Sequence, residues 1–107
     1  MKGEIKMLNQ VIIVGRLTET PQVVEGKATI TLAVPRNYKN ENGEYETDFI
    51  TCELFGGVAT NTSEYCKKGD IIGAKGRLEN GNVFKCERIT FLSTRSTEIN
   101  QEIGETE

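Results

Sequence analysis

The segment LNQVIIVGRL, Leu8 to Leu17, is apolar on both of its faces, and few folds accommodate such a strand in a short chain. Read with the period of two that a strand imposes, it sets Val11 and Ile13 on one side and Ile12 and Val14 on the other. At 107 residues the chain makes one small domain, so no thick layered sheet is available to cover both faces. Either the strand bends across the two sheets of a closed barrel, with Gly15 at the bend, or it meets a copy of itself.

The other elements follow from patterning. In Ala28 to Val34 the residues Ala28, Ile30, Leu32 and Val34 face a core while Thr29, Thr31 and Ala33 face away. A loop then begins with Arg36, Tyr38 and Lys39 and runs into the turn formers Asn40 to Gly43. Tyr45 to Phe55 alternates again, with Ile50, Cys52 and Leu54 on the buried face. Gly56 and Gly57 break that strand, and Val58 to Lys68 reads as a short helix with Val58, Thr62, Tyr65 and Cys66 on one stripe. Lys67 and Lys68 suit its last carbonyls and Gly69 a left-handed cap, which gives these lysines a structural role.

Asp70 to Glu79 is a fourth strand, with Ile72, Ala74, Gly76 and Leu78 set against Ile71, Gly73, Lys75 and Arg77. Asn80-Gly81 specifies a type I′ hairpin, so a fifth strand follows from Asn82 to about Leu92. Its face is ambiguous, because Val83, Ile89 and Phe91 compete with Phe84 and Cys86; a bulge or twist part-way along resolves the conflict. Thr18 to Gly26, around Pro21, serves as connection. Three strands, a short helix and two more strands predict an all-β fold: a five-stranded OB-fold barrel with one helix between strands 3 and 4. Residues 1–7 form an N-terminal extension, 8–92 the domain, and 93–107 a polar, acidic tail without period that is expected to be disordered.

Charge and cysteine content narrow the function. The net charge of −3 resides in the tail: residues 1–95 hold all 13 Lys and Arg against 12 Asp and Glu, +1, while Glu98, Glu102, Glu105 and Glu107 follow with no base. The body is thus only weakly basic, and any nucleic-acid binding must come from where charges sit and from stacking. Cys52, Cys66 and Cys86, odd in number and without close pairing, read as reduced buried thiols. The absence of histidine argues against zinc, and no cofactor is implied. No apolar run reaches membrane-spanning length and MKGEIKMLNQ has no signal-peptide core, so the expected location is cytoplasmic.

The functional signal lies between Val34 and Phe55. Tyr45, Phe49 and Phe55 share a strand face with Thr47, Thr51 and Glu53, and rings set among polar groups imply that something flat covers them. Arg36, Tyr38 and Lys39 add cations and a further ring beside that strand. Bases stacking on rings while phosphates meet cations would satisfy this pattern, and so would a contact with another subunit.

In a barrel of this kind oligonucleotides cross strands 2 and 3, where Tyr38, Phe49 and Phe55 fall. The ordered set LNQVIIVGRLT, TLAVPRNY, DFITCELFG, SEYCKKGD and KGRLE, spread over residues 7–92, resembles the small bacterial and phage single-stranded DNA-binding proteins. The resemblance implies base stacking on Tyr38, Phe49 and Phe55 and assembly as a homo-oligomer, a tetramer ahead of a dimer, through the first strand. Three departures are evident. There is no Trp, and the long loop between strands 4 and 5 is reduced to Asn80-Gly81, leaving Phe84 as a partial substitute ring. The tail lacks the Asp-rich tip ending in Phe, which argues against recruitment of replication partners through it.

Arg36, Lys39, Lys75 and Arg77 are then the expected phosphate partners, Lys75 and Arg77 sharing a face with Gly73. The expected function is sequence-tolerant binding of single-stranded DNA in replication, recombination and repair, with no chemical step. Two other readings use the same face: an OB-fold adaptor that binds protein, as in primosome-like assemblies, and an RNA-binding OB domain. An enzyme fits least, since no histidine, phosphate-cradling loop or placed carboxylate pair is present.

Overall fold

The computed structural model describes residues 7–93; the extension and the acidic tail lie almost wholly outside the described residues. Five strands and one helix are arranged as β1 (Val11–Leu17), β2 (Lys27–Lys39), β3 (Tyr45–Phe55), α1 (Gly56–Tyr65), β4 (Ile71–Glu79) and β5 (Val83–Ser93). The strands close into a barrel in the order β1-β2-β3-β5-β4. Neighbours are antiparallel except β3 and β5, which run parallel, and β1 pairing with β4 shuts the ring. This is the expected OB-fold topology, with the helix between β3 and β4 as predicted.

Barrel closure accounts for one of the two apolar faces of the first strand. Val11 and Ile13 pack against the core, and Gly15 and Leu17 are buried. At Gly15 a Cβ would stand 2.9 Å from the Ala33 carbonyl oxygen, so a side chain would hold β1 away from β2. The other face is not covered within one chain: Ile12 is 64% and Val14 51% exposed. Just before β1, the Asn9 amide donates to the Leu78 carbonyl (2.7 Å) and accepts from the Leu78 N–H (2.9 Å), extending the β1–β4 pairing by a side chain.

The core is built from alternate residues of all five strands, with Leu17, Leu32, Cys52, Leu54 and Ile72 fully buried. Each aliphatic side chain of this set contributes about 1.5–3 kcal/mol by leaving water. Phe84 and Cys86 point inward with them. After Cys86 the β4–β5 register shifts, Lys75 pairing with Arg88 and Gly76 with Cys86. The bulge at Glu87 brings Ile89 onto the core side, which is how β5 reconciles its two competing apolar sets. Asn80 and Gly81 both have positive φ, as a type I′ turn requires, but Glu79 pairs with Val83, so the connection holds three residues and β5 starts one residue later than predicted.

Three further details differ from the sequence reading. β2 continues through Lys39, so Arg36, Tyr38 and Lys39 belong to a strand that outruns the core, and the turn spans only residues 40–44. The helix begins at Gly56 and ends at Tyr65, with Cys66 extended at its C-cap. Lys67, Lys68 and Gly69 therefore lie beyond the helix: Gly69 (φ 95°) shapes the turn into β4, and its N–H donates to the Leu17 carbonyl. The third detail is Tyr65, which is exposed; the buried stripe is Ala59, Thr62 and Cys66. With no side-chain cap and no acidic residue in its first turn, α1 owes its stability to this packing.

Candidate nucleic-acid interface

The β2–β3 ribbon carries the site because its outward positions alternate with core positions in strict register from Lys27↔Phe55 to Pro35↔Thr47. Phe49 pairs with Ala33 and Phe55 with Lys27, while Thr29, Thr31, Thr51 and Glu53 fill the rows between them. The two rings thus share one face, six residues or about 20 Å apart along β3. Phe49 is 66% and Phe55 39% exposed. Rings so placed are not core residues. Beside Phe49 lies a groove of about 280 Å³ lined by Thr18, Glu19, Thr20, Thr29 and Thr31.

Phe55 has two cations at hand. The Lys27 ammonium stands 5.5 Å from its ring centroid and that of Lys85, from β5, 5.3 Å. Their carboxylate contacts are long, Lys27 to Glu53 at 3.8 Å and Lys85 to Glu79 at 3.9 Å. At the opposite end of the ribbon the Lys39 ammonium is 5.8 Å from the Tyr45 ring. Neither Lys27 nor Lys85 stood out in the sequence. Lys27 precedes the clean alternation, and Lys85 becomes a neighbour of β3 only through the parallel β3–β5 pairing, in which it faces Glu53.

Arg36 is committed elsewhere. Its guanidinium donates to both Asp48 oxygens and its Nη1 reaches Glu46 at 2.8 Å. The hydrogen bond and charge of Asp48 raise the Arg36 pKa, and the same bond holds the Asp48 carboxyl below its ordinary value. Glu46 in turn accepts from the Asn40 amide (3.0 Å), whose own oxygen accepts the N–H groups of Asn42 and Glu44. The network ties the ribbon to its turn. Tyr38, exposed, lies 6.0 Å from the Arg36 guanidinium, within the register shift between Pro35 and Lys39.

On β4, Arg77 is held by Glu79 at 2.7 Å and reaches Glu87 at 3.7 Å. Two expectations need correcting. Phe84 is only 4% exposed and packs in the core, because its position before the bulge turns it inward; it offers no stacking surface. Lys75 lies across the barrel from the aromatic rows, in a shallow groove with Ile12, Val14, Arg88 and Leu92. Among the described residues no group of His, Cys, Asp and Glu could hold a metal.

The chain matches the single-strand binding protein family over residues 8–103, nearly its whole length. It belongs to the single-strand binding protein family. Relatives in that family include single-stranded DNA-binding protein B of Bacillus subtilis, 44% identical over 68% of this chain and 69% of the relative. A single-stranded DNA-binding protein of Staphylococcus epidermidis is 40% identical over 81% of this chain and 70% of that protein. One from Streptococcus pyogenes is 44% identical but only half of it is spanned. The crystal structure of the SSB domain of a Synechococcus protein shares the fold, with a TM-score of 0.63 at 17% identity over 81% of this chain and 99% of the other. Membership in the single-strand binding family accords with exposed rings on the β2–β3 face and with the absence, among the described residues, of any helix long and apolar enough to cross a membrane.

Proposed function

We propose that this domain binds single-stranded DNA, as the names of its relatives say of them, and that it does so with little sequence preference. The observation that carries the reading is the pair Phe49 and Phe55, solvent-exposed on one otherwise polar face of a barrel of this family. Bases stack on these rings and on Tyr38, each worth about 1–3 kcal/mol, and every base has a π-face to offer. Lys39 and Arg77 border the path as phosphate partners, while Arg36 acts first through Asp48 and Glu46 to hold the ribbon that presents Tyr38. No chemical step is involved. The protein covers unpaired strands in the cytoplasm during replication, recombination and repair.

The domain acts as a homo-oligomer, a tetramer in preference to a dimer. Supporting this is the bare outer face of β1, where Ile12 and Val14 adjoin Leu92 in one shallow apolar groove. Val14→Asp in that face is expected to lower the subunit number seen by light scattering; an unchanged number would remove β1 from the contact.

Competition decides between nucleic acids and protein partners. A labelled thymidine oligonucleotide should be displaced by unlabelled single-stranded DNA of mixed sequence and poorly by duplex, whose bases are already stacked. Displacement by matched RNA at equal concentration would favour an RNA-binding domain, and failure to bind any oligonucleotide would favour an adaptor.

A further inference from the structure

The two lysines beside Phe55 have a more specific use. We propose that Lys27, Phe55 and Lys85 form one nucleotide-sized subsite, in which a base stacks on the ring and the phosphates flanking that nucleotide are taken by the two ammonium groups. The assignment rests on the single-strand reading above.

Strand order supplies the geometry. β3 lies between β2 and β5, so Lys27 and Lys85 approach the Phe55 ring from opposite sides, at 5.5 and 5.3 Å. Lys27 is the direct cross-strand partner of Phe55, and Lys85 faces Glu53, two residues earlier on the same outward row. A stacked nucleotide carries one phosphate before it and one after it. The site therefore offers a cation on each side of the surface that would receive the base.

The strength of the competing ion pairs points the same way. Lys27 holds Glu53 at 3.8 Å and Lys85 holds Glu79 at 3.9 Å, both pairs partly exposed and both near the limit of contact. Glu79 is already engaged by Arg77 at 2.7 Å. Exposed pairs of this kind contribute little, so exchanging a carboxylate oxygen for a phosphate oxygen costs little. The arginines differ: Arg36 is gripped through several nitrogens at 2.8–3.3 Å. A lysine is also a compact charge on a flexible stem, able to swing from ring to phosphate without a fixed fork geometry.

The test is a titration of the full chain with a fluorescein-labelled thymidine oligonucleotide across several salt concentrations. Wild type, Lys27→Gln, Lys85→Gln, the double variant, Lys27→Arg, Phe55→Ala and Lys67→Gln, which lies outside the proposed subsite, are compared, with thermal melts to check folding. Each lysine-to-glutamine change should flatten the slope of log K against log salt by about 0.7, and the pair by about 1.4. Lys27→Arg and Lys67→Gln should keep the wild-type slope. Phe55→Ala should weaken binding by about 5- to 150-fold with the slope retained. Binding by the wild type with unchanged slopes in both glutamine variants, or a loss no greater than that in Lys67→Gln, overturns the subsite and leaves the single-strand reading standing. No binding by the wild type overturns both.

Discussion

Across β2 and β3, Arg36 grips Asp48 through two nitrogens, Nη2 at 2.9 Å and Nε at 3.2 and 3.3 Å from the two carboxylate oxygens. With Glu46 on Nη1 all three guanidinium nitrogens are engaged by carboxylates, which makes Arg36 a strut for the ribbon before it is a ligand for phosphate. Asp48→Asn should therefore release it. Binding of an oligonucleotide by this variant is expected to tighten and its salt slope to steepen, because one anion is lost and one cation freed. The pH dependence has a fixed sign. Asp48 has its pKa lowered below 3.8 by the Arg36 hydrogen bond, so the contact stabilises the fold above that value and is lost as pH falls through the lower folded value. Acid melts of wild type and Asp48→Asn should converge there.

Phe55 and Phe84 separate function from folding. Phe55→Ala should cost about 1–3 kcal/mol in single-strand binding and leave the melting temperature close to wild type. Phe84→Ala removes a core ring and should cost about 3–5 kcal/mol in stability, read from chemical denaturation. A stable Phe84→Ala protein with weakened binding would reverse the assignment.

Much of this was legible locally. The alternation of Ala28 to Val34 and of Ile50 to Leu54 reflects residues buried on one side of the barrel, and the Asn80-Gly81 pair fixes a turn by backbone conformation alone. Phe84 was not legible, because its face depends on which side of the Glu87 bulge it falls, and the bulge is set by pairing with β4. The strand character of Arg36 to Lys39 was hidden because β2 outruns the core there and carries no apolar rhythm. Lys85 escaped notice for a third reason: its nearness to Phe55 exists only once β5 lies parallel to β3.

Gly76 and Gly57 should respond oppositely to alanine. Gly76 pairs with Cys86, and a Cβ there would overlap the Lys85 carbonyl oxygen and stand 2.9 Å from the Cys86 Cα. Both obstacles are backbone, so Gly76→Ala should cost about 3 kcal/mol or more. Gly57 in α1 meets nothing within 4 Å and has no unusual φ, so Gly57→Ala should stabilise by up to about 1 kcal/mol through helix propensity. Denaturant midpoints of the two variants measure both effects.

Burial pushes the Cys52 thiol up to about 12, with neighbouring Cys86 adding to the shift. Its folded pKa thus exceeds the ordinary value of 9.0, and the unfolded chain loses this proton first as pH rises. Stability from the neutral buried thiol is complete below about pH 9 and is lost between there and about 12. Cys52→Val, which cannot ionise, should show a shallower alkaline decline in melting temperature than wild type.

The most direct test of single-strand binding on the aromatic face uses the protein's own tyrosines, as it has no Trp. Titration with a long thymidine oligonucleotide at two salt concentrations should quench tyrosine emission through Tyr38 and bind more weakly at the higher salt. Absence of binding, or binding with unchanged emission that is insensitive to salt, would contradict stacking and phosphate contact together.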